Sequence, residues 1–222
     1  MATDRTNQTI KLKDGRSLGY AEYGSPEGKP VFYFHGFPGS RLDWPFSDAN
    51  DSAAQLNARI IAVDRPGMGL SDFKRGRELL DWPDDVIELA DALQVDRFAA
   101  LGISGGGPYA AVCAFKIPER LTATAIVCGM GPAEAPGSKE GVAWTFPGKP
   151  SLIRGLIMKL SSMGIQKNPD QFLARSKEVL SESDRLLLDQ PNLAKAYIDT
   201  IGESFRSGIG GANHEATLYT HP

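Results

Sequence analysis

The chain is poor in the residues from which disulfide frameworks, metal centres and membrane spans are built. Cys113 and Cys128 are the two cysteines among 222 residues. Both stand in apolar stretches, so the pattern predicts buried free thiols in place of a disulfide or a metal site. No metal and no organic cofactor is expected. Histidine is scarce as well, with three residues, His35, His214 and His221, available for proton transfer. No apolar run approaches the ~20 residues that a spanning helix needs. Positive charge is not in excess: 24 Lys and Arg stand against 27 Asp and Glu, a formal charge of -3. Without a basic stripe, neither nucleic acid nor an anionic membrane is an expected partner. The first residues, Met1-Ala2-Thr3-Asp4-Arg5-Thr6-Asn7-Gln8, are polar where a secretory signal is apolar, and the reading is a cytoplasmic protein.

What the chain does have is apolar content, 41% of its residues, enough for the core of one domain. Two alternating stretches, residues 9–13 and 17–23, flank Asp14-Gly15, which is a hairpin signal. Residues 31–34 and 60–63 are continuous apolar strands, with a helix-compatible segment at 48–57 between them. Strand, helix, strand implies a parallel pair. The alternation continues with a helix at 83–93, a strand at 97–101, a helix at 108–116 and a strand at 124–127. It predicts an α/β fold with a mostly parallel sheet and flanking helices. After Met130, residues 131–137 read as a linker, and apolar residues recur at helical spacing in 152–161, 172–180 and 192–205. The expected organisation is a core at 1–132 and a helical cap at 133–222.

Gly102-Ile103-Ser104-Gly105-Gly106 fits G-x-S-x-G and lies between a strand pattern and a helix pattern. A serine forced onto such a turn projects its hydroxyl from the fold, and small neighbours tolerate the close backbone approach. The competing readings are a packing turn or a dinucleotide-type phosphate loop. The second wants an acidic residue at the end of the next strand, where Ala125-Ile126-Val127-Cys128-Gly129 has none. His35-Gly36-Phe37-Pro38-Gly39-Ser40 follows the third strand, where a second turn can offer an amide to an oxyanion. Acyl transfer needs two such donors, assigned to the backbone amides of Gly105 and Phe37. His35 is read as tying its own loop together. The turn from Asp64 to Asp72 is read as structural, with Asp64 holding Arg65 and the loop.

Together the segments HGFPGS, DRPGMGLSD and GISGGGPY resemble the α/β-hydrolase fold superfamily, close to its proline iminopeptidase-like branch. The resemblance covers residues 9–130 well and extends loosely through Glu203-Ser204-Phe205-Arg206 and Gly210-Gly211. It implies a serine hydrolase that cleaves an ester or amide through an acyl-enzyme on Ser104. A small ester, amide or short peptide is the implied substrate, with Phe37, Tyr109, Trp144 and Phe146 as pocket-lining candidates. In such enzymes an acid and then a histidine follow the serine, on strands beyond the cap. Here the sequence stops at Thr220-His221-Pro222, so the C-terminal part of the family fold is expected to be absent. His214, His221 and Glu134 are read as non-catalytic, with no histidine reaching Ser104. The rival expectation is a truncated or catalytically impaired binding protein. The strand at 124–127 then becomes an exposed edge, and a homo-oligomer or a complementing fragment is the expected partner.

Overall fold

The computed structural model describes residues 4–44, 49–132, 134–135 and 149–220. Trp144, Phe146 and His221 lie outside the described residues. Six strands form one sheet: β1 (Gln8–Lys11), β2 (Ser17–Gly24), β3 (Lys29–Phe34), β4 (Ala58–Val63), β5 (Phe98–Ile103) and β6 (Leu121–Val127). Their order is β1-β2-β4-β3-β5-β6. The predicted hairpin is there, β1 antiparallel to β2, with Gly15 at φ +87°, a conformation glycine adopts without steric cost. β2 pairs antiparallel with β4, while β4, β3, β5 and β6 run parallel.

Both faces of the central strands are covered, which is why those strands read as unbroken apolar runs. Successive side chains alternate. Phe32 and Phe34 therefore join one core with Phe98, Trp82, Val86, Leu89 and Cys113, whereas Tyr33 joins another with Ala21, Tyr23, Ile60 and Ala62. The first core is supplied by α2 (Trp82–Ala92) and α3 (Gly107–Lys116), the second by α1 (Ala49–Gln55). Burying each large apolar side chain stabilises the fold by ~1.5–3 kcal/mol. Helix α2 carries Pro83 and two acids in its first turn, placements that suit a helix start. One of those acids, Asp85, also takes a two-pronged bond from Arg16 of the hairpin at 3.0 and 2.6 Å.

Among the described residues, five further helices follow: α4 (Ser151–Lys167), α5 (Pro169–Val179), α6 (Glu182–Leu188), α7 (Pro191–Ser204) and α8 (Gly210–Leu218). Met158, Ile165, Ile201, Phe205, Ala212 and Ala216 gather around Met68 in a smaller core. Polar contacts join these helices to the segment after β3: the Ser40 amide donates to Thr200 Oγ1 at 3.1 Å, and Arg41 meets Glu203 at 2.6 Å. Gly211 lies so close to the Gly67 backbone that a Cβ there would stand 2.7 Å from Gly67 Cα. One thiol departs from expectation. Cys113 is buried but Cys128 is exposed, because β6 has β5 as its one partner among the described residues and the strand's end is open to solvent.

Candidate active site around Ser104

Ser104 follows β5 directly and opens a short 3-10 turn, Ser104–Gly106, that runs into α3. Its φ is +51°, the left-handed region, which costs a residue with a side chain ~1–3 kcal/mol. The glycines around it explain how the turn closes. A Cβ on Gly106 would strike the Phe34 carbonyl, and one on Gly102 would strike the Gly106 carbonyl. Ser104 remains half-buried, and its carbonyl accepts from the Met130 amide at 3.0 Å.

The loop after β3 comes against this turn. A Cβ on Gly36 would stand 3.8 Å from Ser104 Cβ, and one on Gly105 would stand 3.3 Å from the Phe37 nitrogen. Ser104, Gly105, Gly36 and half-buried Phe37 are thus neighbours, although Phe37 lies some 70 residues earlier in the chain. That proximity follows from β3 and β5 pairing in parallel, so that their C-terminal ends share one edge of the sheet.

Beneath the loop, polar groups converge that have no local signal in the sequence. Arg65 Nε donates to Glu215 Oε1 and Oε2 at 2.8 and 2.9 Å. Its two outer nitrogens donate to the carbonyls of His35, at 2.5 Å, and Gly36, at 2.9 Å. Arg77 reaches the same carboxylate at 2.9 Å. The Tyr219 hydroxyl lies 2.6 Å from Glu215 Oε1 and 2.9 Å from the Gly105 carbonyl. All of these side chains are buried. Burial raises the cost of charge on Glu215, but Arg65 and Arg77 outweigh it and hold the carboxyl down at about 2.

Two assignments change here. Tyr109 is fully buried in the core, accepting from Arg77 at 2.8 Å with Arg65 stacked 4.7 Å from its ring centre, so it offers no surface to a ligand. Asp64 does not hold Arg65. It accepts from Arg41 Nη1 at 2.9 Å, from the Arg41 amide at 2.6 Å and from the Leu70 amide at 2.8 Å. Asp64 thus holds its own loop through the Leu70 amide, while Arg65 pairs with Glu215 instead.

Neither described histidine bonds to Ser104. His35 is buried with Nδ1 2.8 Å from the Gly36 carbonyl and Nε2 3.5 Å from the Arg65 amide. His214 Nε2 meets the Arg77 carbonyl at 2.8 Å. Burial first, and the Arg65 charge second, push the His35 ring down from 6.5 to about 3. The ring is therefore neutral at pH 7 in the fold. The unfolded chain takes up its proton below pH ~6.5, so the stability His35 allows is complete above that and is lost toward its folded value. The expected loss is ~1.4 kcal/mol per pH unit, about 2 kcal/mol at pH ~5. Urea midpoints between neutral and mildly acidic pH should show this slope, and His35→Asn should flatten it. An equally steep profile in the variant would remove His35 as the cause.

Two cavities adjoin these elements. One of about 230 Å³ lies between Pro38 and the helical segment, lined by Ile157, Met158, Tyr197, Ile201 and Phe205. The larger, about 450 Å³, runs between α3 and the end of β6 past Pro108, Ile126 and Tyr219. Ser104 and Phe37 line neither. Glu134 is exposed.

Comparison with known families decides what this arrangement belongs to: residues 29–151 match the family described as alpha/beta hydrolase fold. The chain belongs to the alpha/beta hydrolase fold family. This α/β-hydrolase chain is 33% identical over 128 residues to a non-heme chloroperoxidase of Streptomyces lividans, covering 56% of this chain and 45% of that protein. It is 31% identical over 114 residues to a proline iminopeptidase of Xylella fastidiosa, covering 50% of this chain and 36% of that protein. The α/β-hydrolase chain thus aligns with less than half the length of either relative. Among solved structures, a hydrolase from Pseudomonas aeruginosa superposes with a TM-score of 0.65 at 18% identity, covering 96% of this chain and 73% of that one. An esterase from Exiguobacterium antarcticum gives 0.61 at 18% identity, with the same coverage. At such identity the likeness shows the fold. Among the described residues of this α/β-hydrolase chain, no helix is long and apolar enough to cross a membrane.

Proposed function

We propose that the chain is a serine hydrolase that cleaves a small ester, amide or short peptide through an acyl-enzyme on Ser104. The observation that carries this reading is the left-handed Ser104 at a strand-to-helix turn, with the Gly36-Phe37 loop packed against it. In the reaction Ser104 Oγ bonds to the substrate carbonyl carbon, and the carbonyl oxygen becomes an oxyanion between the amides of Phe37 and Gly105. The leaving group departs with a proton, and water then releases the acyl group and restores the hydroxyl. The relatives, a proline iminopeptidase and a bifunctional esterase/perhydrolase among them, support this substrate range. The helical segment acts as a cap, and its apolar cavity beside Pro38 suits an apolar substrate group.

A serine hydroxyl needs a neighbouring base, since it is essentially unionised at neutral pH. His35 and His214 are both engaged with backbone elsewhere, so the described residues supply nucleophile and donors without the base. That observation favours a second reading, a ligand-binding protein with impaired turnover. Oxyanion donors and binding alone leave ~10³ to 10⁴-fold acceleration over water. A fluorophosphonate probe is therefore expected to label the chain slowly and Ser104→Ala not at all. Labelling no faster than that of the urea-unfolded chain would reject the hydrolase in favour of the binding protein.

A further inference from the structure

The peptide unit that carries the Phe37 N–H ends, at its other side, in the Gly36 carbonyl. That carbonyl accepts from Arg65 at 2.9 Å, while the preceding His35 carbonyl accepts from the same guanidinium at 2.5 Å. A trans peptide is planar, with N–H and C=O opposed, so whatever fixes the oxygen fixes the direction of the hydrogen. We propose that Arg65 is a positioning residue for the Phe37 amide, its guanidinium held by Glu215 while it grips the two carbonyls that set this peptide's orientation.

The charge matters as well as the geometry. A hydrogen bond from a cation to the carbonyl polarises the peptide and makes its N–H a stronger donor, the more so in a buried site. The arrangement needs arginine. One guanidinium spans a carboxylate on one side and two carbonyls on the other, whereas a lysine ammonium is a single point that cannot span all three. Glu215 also meets Tyr219, whose hydroxyl lies 2.9 Å from the Gly105 carbonyl, so one carboxylate is tied to both turns beside Ser104. Arg77 shares the carboxylate, and its other bond is to Tyr109 and not to the 35–37 loop.

The inference rests on the hydrolase reading for its chemical consequence, but the geometry can be tested apart from it. Arg65→Lys and Arg77→Lys are compared in the full chain by p-nitrophenyl acetate turnover and by the backbone amide resonances of Phe37 and Gly105. Arg65→Lys is expected to lower kcat by about 30- to 100-fold with KM within about threefold, the mark of a contact made in the transition state. The Phe37 amide should move upfield while that of Gly105 stays. Arg77→Lys should lower the melting temperature comparably and leave both the Phe37 amide and kcat near their original values. Equal kcat losses in the two variants, or an unmoved Phe37 resonance in Arg65→Lys, would overturn the proposal. If Arg65→Lys does not fold, Glu215→Asp retracts the carboxylate that holds the guanidinium and should move the Phe37 amide upfield in the same way. Because Glu215 also reaches the Gly105 carbonyl through Tyr219, the Gly105 resonance moves too and the Phe37 resonance alone is read, an unmoved one overturning the proposal. Undiminished turnover in Ser104→Ala would mean that the hydrolase reading has failed, and the Phe37 resonance alone would then decide the positioning role.

Discussion

Glu215→Ala is expected to lower the melting temperature by roughly 6 to 20 °C, the largest effect of any single substitution considered for this chain. Glu215 and Arg65 are both fully buried, and Arg77 is nearly so. Removing the carboxylate leaves two guanidinium groups out of water with no counter-charge, a loss of ~3–5 kcal/mol for a broken buried pair. In a chain of this size each kcal/mol shifts the midpoint by about 2–4 °C. The penalty belongs to the stranded charge and not to the pair as such. Adding Arg65→Met to Glu215→Ala should therefore recover much of the loss. The pH dependence has a definite sign. The Glu215 carboxyl is lowered from 4.5 to about 2, so the pair contributes fully above 4.5 and fades as pH falls toward 2. The gap between native chain and variant should be constant from pH ~5 to ~8 and narrow only in stronger acid. Circular dichroism melts across that range are the measurement. A drop of less than about 3 °C at neutral pH would mean that water reaches the two arginines.

The sheet could be read from the sequence because each of its central strands is a continuous apolar run separated by a helix. β3, β4, β5 and the helices between them fall within a few residues of their expected places. The elbow was legible for a related reason: Gly102 and Gly106 are demanded by backbone contacts that any turn of this shape makes. Helix α8 was not legible. It opens with Gly210 and Gly211, poor helix formers, and is held by the contact of Gly211 with Gly67 and the ion pairs of Glu215. Those pairs join residues 138 and 150 positions apart, beyond the reach of any local pattern. Helix α6 does carry a local signal, Ser181, whose side chain accepts from the Asp184 amide as an N-cap. Tyr109, next to the elbow in sequence, points into the core because α3 turns that side of itself toward Trp82. Adjacency in the chain was a poor guide to which side chains face a ligand.

The second large effect concerns β6, and its expected result is self-association of the purified chain. The strand reads Leu-Thr-Ala-Thr-Ala-Ile-Val, without a charge, a proline or a glycine. All but its first residue are exposed, with Ile126 and Val127 each about half accessible. One side of the strand is bonded to β5, and the other carries N–H and C=O groups with no strand partner among the described residues. Unpaired edges of this kind template the addition of another strand unless charge, proline or a bulge blocks it. The apolar groove beside Ile126 adds surface that gains ~25 cal/mol for each Å² removed from water. Size-exclusion chromatography with light scattering should find the chain larger than its 23.9 kDa monomer at micromolar concentration. Ala125→Lys places a cation on the open strand, on the face opposite to Ile126, and should shift the population to monomer with the far-ultraviolet dichroism unchanged. If the unmodified chain runs as a sharp monomer, or if the lysine leaves the oligomer intact, the edge is not what associates. The exposed stripe of α4, which includes Leu152 and Leu156, is then the next apolar surface to test.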